Sequence, residues 1–143
     1  MGDIQFFYLS QVSVLRNRIA LKAFIEMTAF KYKRPVASLN IIFCDDAYLL
    51  SINQQFLQHD FYTDIITFDL SASPKEPMQA EIYISIDRVK ENANLHNVSL
   101  KRELHRVIFH GLLHLLGYKD KLKKDQLTMR SMEDALLLHY FGK

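Results

Sequence analysis

The chain is short of cysteine, of net charge and of long apolar runs, and each shortage excludes something. One cysteine, Cys44, rules out a disulfide framework within the chain and fits a reducing compartment, most simply the cytoplasm. Eighteen basic residues against 16 acidic ones leave a formal charge of +2, too little to announce a nucleic-acid binder. A local patch can still bind one, because the local field and not the net charge sets the contact. The most apolar stretch, Val107 to Tyr118, is broken by His110 and His114 and falls far short of the roughly 20 apolar residues of a membrane span. No basic segment precedes an apolar block near Met1, so no signal peptide is expected, and Phe6 stands where myristoylation wants Ser or Thr. Repeats and low-complexity tracts are missing too. Only Ser71 to Pro77 reads as a linker-like surface loop.

What is there is an ordinary globular composition with six histidines. Of 143 residues, 49% are apolar and 24% charged. This predicts one domain over residues 1–143, long enough to bury roughly 68% of the surface its unfolded chain exposes. Ile4 to Leu9 reads as a strand, and Ser13 as the N-cap of a helix running to about Lys33, before Pro35. Val14, Leu21, Ile25 and Tyr32 share one side of that helix. Leu39 to Cys44 reads as a buried strand, with Asp45 or Asp46 capping the helix that follows. Asp64 to Leu70 and Glu81 to Ser85 read as a wide hairpin around the proline loop. Asp87 to Leu95 reads as a helix, and Ser99 caps a long one through Leu116 that Gly117 stops. A last helix is expected from Asp125 to Tyr140. The fold class is α+β: a small mixed sheet of about four strands covered by about five helices, with a metal site at the end of a central helix.

The chemistry lies in the run from His110 to Asp120. Two histidines four apart on a helix share a face, close enough for both imidazoles to bind one metal at about 2.0–2.1 Å. Gly117 permits a tight turn that can bring Asp120 back as a third ligand. Two imidazoles and one carboxylate leave a position open, the catalytic arrangement of zinc. Chance pairs of His at this spacing number ~0.24 for this composition, and requiring Gly and then an acid or His lowers the expectation to ~0.001. The spacing is that of metzincin-type zinc proteases, but those carry Glu directly after the first His. Here Gly111 stands there, which disfavours a peptidase.

The run His110-Gly-Leu-Leu-His114-Leu-Leu-Gly117-Tyr118 resembles the signature of the YbeY-type endoribonucleases, also called rRNA maturation factors, His-Gly-x-Leu-His-Leu-x-Gly-Tyr-Asp-His. Asn53 through Phe68 is similar to that family's second motif, and Glu81 to Ser85 sits where the family has Gly-Asp-Ile and a strand. The resemblance implies a compact α+β fold and one metal ion, usually Zn2+. It also implies hydrolysis of single-stranded RNA in 16S rRNA maturation and ribosome quality control, with the ribosome or its small subunit and rRNA precursors as partners. His110 and His114 would be two ligands, and Asp120 stands in for the family's third histidine. Leu57 stands where the family has an arginine, so another cation must serve the phosphate, His59 being one candidate. Tyr62 replaces the family's proline and leaves Thr63-Asp64 intact.

In this reading the metal activates a water or polarises a phosphoryl oxygen. Asp64, His59 and Glu103 are candidates for the general base. Glu103, seven residues before His110 on the same helix face, is also a candidate acceptor that orients a ligand. Lys119, Lys121, Lys123 and Lys124 cluster around Asp120 as the RNA-binding edge. Lys31, Lys33 and Arg34 end the first helix, where its dipole favours them. His96, His105 and His139 lack matching spacing and read as structural or surface residues, and Cys44 as a small core residue. Two other classes stay open: a non-catalytic, metal-stabilised ribosome-assembly factor, and a metal-dependent hydrolase of another substrate.

Overall fold

The computed structural model describes residues 2–9, 15–59 and 62–142. In chain order the elements are β1 (Asp3–Tyr8), α1 (Arg18–Lys31), β2 (Val36–Cys44), α2 (Asp46–Leu57), β3 (Ile65–Asp69), β4 (Met78–Ser85), α3 (Ile86–Leu95), α4 (Leu100–Leu115) and α5 (Lys123–Phe141). The four strands form one sheet in the order β1-β2-β4-β3. β1 and β4 run parallel to β2, and β3 pairs antiparallel with β4, Ile65 opposite Ile84 and Asp69 opposite Ala80. The expected α+β architecture and the wide hairpin are therefore both present.

Period-two alternation gives the sheet two covered faces. Leu39, Ile41 and Phe43 of β2, with Ile82 and Ile84 of β4, enter the main core, which α1, α4 and α5 close. On the other face Cys44 and Ile66 meet Leu49 and Ile52 of α2. Local chemistry sets most boundaries. The side chains of Asp45, Ser85 and Ser99 accept from the backbone N–H of Tyr48, Arg88 and Arg102, capping α2, α3 and α4.

Several boundaries differ from expectation, β2 among them, which starts at Val36 and not Leu39. Ser13 and Val14 lie outside the described residues, and α1 starts at Arg18 after Asn17, whose side chain makes no cap. That helix stops at Lys31, two residues early, because Lys33 is left-handed at φ 64° and Arg34 precedes Pro35. β4 starts at Met78, not Glu81, because Met78 to Ala80 find partners along β2. α5 begins at Lys123, not Asp125, so Lys123 and Lys124 occupy a first turn whose dipole disfavours cations.

α4 is the helix that positions the site. It packs against α3, α5, β3 and β4. Gly111 lets it lie close to the sheet: a β-carbon there would come within 2.8 Å of Ile65 Cδ1 and 3.1 Å of Ile82 Cδ1. The position where a protease would carry its glutamate thus faces the core. Arg34 is not a solvated helix-end cation but is buried, at 7% exposure. It donates to both Asp69 carboxylate oxygens, to Ser71 Oγ and to the Leu115 carbonyl at the last turn of α4. Burial alone would raise the Asp69 carboxyl, but the Arg34 and Ser71 hydrogen bonds hold it below its usual range.

Candidate metal centre

At its C-terminus α4 ends in a two-bond turn that depends on Gly117. Tyr118 N–H reaches the Leu113 carbonyl and Gly117 N–H the His114 carbonyl, both at 3.0 Å, with Gly117 at φ 105°. This is the Schellman pattern, whose sixth-to-first bond needs a left-handed residue. The turn also leaves the Tyr118 carbonyl 3.0 Å from His114 Nδ1. A carbonyl only accepts, so Nδ1 carries the proton and Nε2 presents its lone pair inward.

His110 is oriented in the same way by another helix. Its Nδ1 lies 2.6 Å from Oε2 of Glu133 on α5. Glu133 is in turn fixed by Arg106, whose Nη1 donates to Oε1 at 2.9 Å while Nη2 reaches Asp134 at 2.7 Å. The two inward Nε2 atoms lie 3.0 Å apart, with Asp120 Oδ2 at 3.2 Å from His114 Nε2 and 3.3 Å from His110 Nε2. Three electron-pair donors converging at this spacing call for a cation between them. Ligand bonds of about 2.0–2.1 Å in a tetrahedral site put neighbouring donors roughly 3.3 Å apart, which these separations approach. The residues therefore fit a metal ion, and His110, His114 and Asp120 are the group able to hold one among the described residues.

The electrostatics favour positive charge at this point. Burial pushes the His110 imidazole down, yet Glu133, Asp120 and Asp64 outweigh it and the pKa is raised. Glu133 moves the other way: burial raises it, and the hydrogen bonds and charges of His110 and Arg106 bring it below its usual range.

Two clefts meet at these residues. The first, of about 330 Å³, is lined by Asn53 and Leu57 of α2, His59, Thr63, Asp64, residues 65–67 of β3, His110, His114 and Asp120. The second, of about 300 Å³, lies between α3, α4 and α5 and includes Asp64, His96, Glu103, Arg106, His110, Asp120, Arg130 and Glu133. His110, Asp64 and Asp120 line both.

Most of the expected residues gather here. Asp64 accepts from Asn92 Nδ2 at 3.2 Å, and its carbonyl accepts from Ser85 N–H at 2.9 Å. Its carboxyl is raised by burial, which outweighs the nearby His110 charge. Glu103 is buried at the wall of the second cleft, its carboxyl raised by desolvation. It is not the acceptor for His110: that place belongs to Glu133. Lys119, Lys121, Lys123 and Lys124 are exposed and line neither cleft. His96 lines the second cleft, whereas buried His105 stacks on Tyr140 and His139 packs edge-on against Phe24. The Cys44 thiol is pushed up to about 12 by burial, with Asp45, Asp87 and Asp46 adding to it, so it is no thiolate nucleophile. Glu133 and Arg106 carry no signal in the sequence, because no local spacing announces a partner on another helix.

Fold and site together define a class: an α+β protein with a two-histidine, one-carboxylate centre at the open end of a helix, the donor set of metal-assisted hydrolysis. Residues 10–141 match the family model described as Endoribonuclease YbeY, and the chain belongs to that family. A relative from Cytophaga hutchinsonii, named Endoribonuclease YbeY, is 52% identical over 123 residues, 86% of this chain and 85% of its own. One from Porphyromonas gingivalis with the same name is 44% identical over 134 residues, covering 92% and 87%. A solution structure of a Thermotoga maritima protein superposes with a TM-score of 0.68 at 28% identity, over 97% of this chain and 89% of that one. Among the described residues no helix is long and apolar enough to cross a membrane.

Proposed function

We propose that this chain is a metal-dependent, single-strand-specific endoribonuclease that cleaves phosphodiester bonds of rRNA precursors. In this reading it acts as one cytoplasmic domain in 16S rRNA maturation and ribosome quality control, on or near the small subunit. The observation that carries the reading is the convergence of His110 Nε2, His114 Nε2 and Asp120 Oδ2 beside two open clefts. One ion held by these donors, Zn2+ by the donor set, supplies Lewis-acid activation toward phosphoryl oxygen or water.

The chain's own residues do the rest. Glu133 and the Tyr118 carbonyl keep both imidazoles turned inward. Asp64, shared by the two clefts and steadied by Asn92, is the proton acceptor, and His59 meets phosphate from the wall of the first cleft. Lys119, Lys121, Lys123 and Lys124 attract the RNA backbone from outside the clefts. One observation favours a second reading, a non-catalytic ribosome-assembly factor: among the described residues no lysine or arginine lines the first cleft, and Leu57 occupies its wall.

The test compares wild type, His114→Ala and Asp64→Asn on a single-stranded RNA and on a peptide library, with and without chelator. Cleavage of RNA alone, lost with chelator and in His114→Ala and strongly slowed in Asp64→Asn, is expected. Cleavage persisting unchanged in His114→Ala would sink metal catalysis. Binding of rRNA precursor without cleavage would establish the assembly-factor reading. Elemental analysis of Asp120→Ala checks the third ligand, and equal metal content would remove it.

A further inference from the structure

The second cleft holds a cation that the metal centre does not use. Its arginines are Arg106 and Arg130. Arg106 is committed, at 2.9 Å to Glu133 and 2.7 Å to Asp134. Arg130 sits one turn before Glu133 on α5, and its side chain is 53% exposed. Its one ion pair among the described residues is a 3.7 Å approach to Glu133 Oε1, the oxygen Arg106 already holds. A contact that long is no hydrogen bond and contributes little.

Three of the cleft's four carboxylates have closer partners than Arg130. Glu133 faces Arg106 and His110, Asp120 faces the two imidazoles, and Asp64 takes the Asn92 amide. Glu103 is nearly fully buried and feels the charges of both Arg106 and Arg130, without a hydrogen bond or ion pair to Arg130 among the described contacts. The Arg130 guanidinium is therefore the cationic group left facing the opening, one carboxylate away from the His110 ring. A planar fork of N–H donors suits a phosphate better than any other surface group does. The first cleft is lined differently, apolar at Leu57, Ile65 and Ile66 and, among the described residues, without Lys or Arg.

We infer that Arg130 is a substrate-positioning residue: it binds a phosphate of the RNA strand adjacent to the cleaved linkage, in the cleft between α3, α4 and α5. The strand then crosses the His110–Asp120 neck, with nucleoside in the first cleft and the neighbouring phosphate in the second. This rests on the endoribonuclease reading, and the experiment separates the two.

Metal-loaded Arg130→Gln, Arg130→Lys and a control, Lys22→Gln on a helix that lines neither cleft, are compared with wild type. Metal content, thermal midpoint, and KM and kcat on a labelled single-stranded oligoribonucleotide are measured across a salt series. Arg130→Gln is expected to keep its metal and midpoint and raise KM about tenfold. Its salt slope should fall by about 0.7, the loss of one single-strand phosphate contact. Arg130→Lys should restore the slope, and Lys22→Gln should change nothing. Unchanged KM and slope in Arg130→Gln would overturn the inference. So would loss of metal in parallel with rate, which would make Arg130 a support for Glu133. If wild type cleaves no RNA, the endoribonuclease reading falls instead. Calorimetric titration of inorganic phosphate into the metal-loaded proteins then decides Arg130 alone: weaker binding to Arg130→Gln upholds its phosphate contact, and equal binding refutes it.

Discussion

Glu133 Oε2 accepts a hydrogen bond from His110 Nδ1 at 2.6 Å, across 23 residues of sequence and between two helices. The contact fixes the tautomer that turns Nε2 toward His114 and Asp120. Outer partners of this kind typically change metal affinity 10–100-fold when lost. Glu133→Gln keeps the shape and an acceptor oxygen but removes the charge. Metal affinity, measured by competition with a chelator, is expected to fall by at least about tenfold. The folded protein should survive, because Arg106 keeps Asp134. Affinity equal to wild type would show that the contact does not set the ligand.

The sequence carried the parts of this site that depend on local geometry. His110 and His114 share a helix face by spacing alone, and Gly117 announced the turn that returns Asp120. The Ser99 cap and the β3–β4 hairpin were readable for the same reason, since each is settled within a few residues. Glu133 was not, because its role exists only after α5 packs on α4. Glu103 satisfied the periodicity argument better than Glu133 could, yet its side chain faces the wall of the second cleft. Arg34 looked like a dipole-favoured helix end, and only the tertiary fold shows it buried between β3 and the last turn of α4.

That arginine ties the sheet to the helix end bearing the histidines. Its Nη1 donates at 2.6 Å to the Leu115 carbonyl, one residue after His114, and at 2.8 Å to Asp69. Arg34→Met would take the Nη1 donor from the Leu115 carbonyl and the guanidinium from Asp69, which keeps the Ser71 N–H. Asp69 is more than a third exposed and water can recover part of its loss. The expected destabilisation is therefore on the order of 2–3 kcal/mol, below the figure for a fully buried pair. Chemical denaturation measures it, and a change within about 0.5 kcal/mol, as for an ordinary surface substitution, would contradict the role.

Gly117 has open space around the position of a β-carbon, so any cost of Gly117→Ala comes from its φ of 105° alone. Forcing an L residue there costs about 1–2 kcal/mol. The same turn holds the Tyr118 carbonyl against His114 and directs Asp120 inward. Gly117→Ala is thus expected to lower the thermal midpoint of the metal-free protein and also to shrink the rise that added metal produces. A lower midpoint with an undiminished metal-induced rise would confine Gly117 to stability and detach it from the centre.

His105 gives the fold a pH dependence that is separate from the metal centre. It lies buried against Tyr140 and Phe141, with Nδ1 2.7 Å from the Lys101 carbonyl. Arg16 and Lys101 line the cavity beside it. Desolvation lowers its pKa, and the Lys101 charge adds to this against the opposing backbone hydrogen bond. The sign follows from linkage. The unfolded chain takes up a proton near the ordinary value of about 6.5, while the folded ring resists it, so protons favour unfolding. The contribution of neutral His105 is fully present above that value and is lost as pH falls below it toward the folded pKa. His105→Phe retains an aromatic ring and cannot titrate. Urea unfolding at pH 7 and pH 5 should therefore show a smaller loss of stability on acidification for His105→Phe than for wild type. Equal losses in the two proteins would mean that His105 does not contribute to the acid sensitivity of the fold.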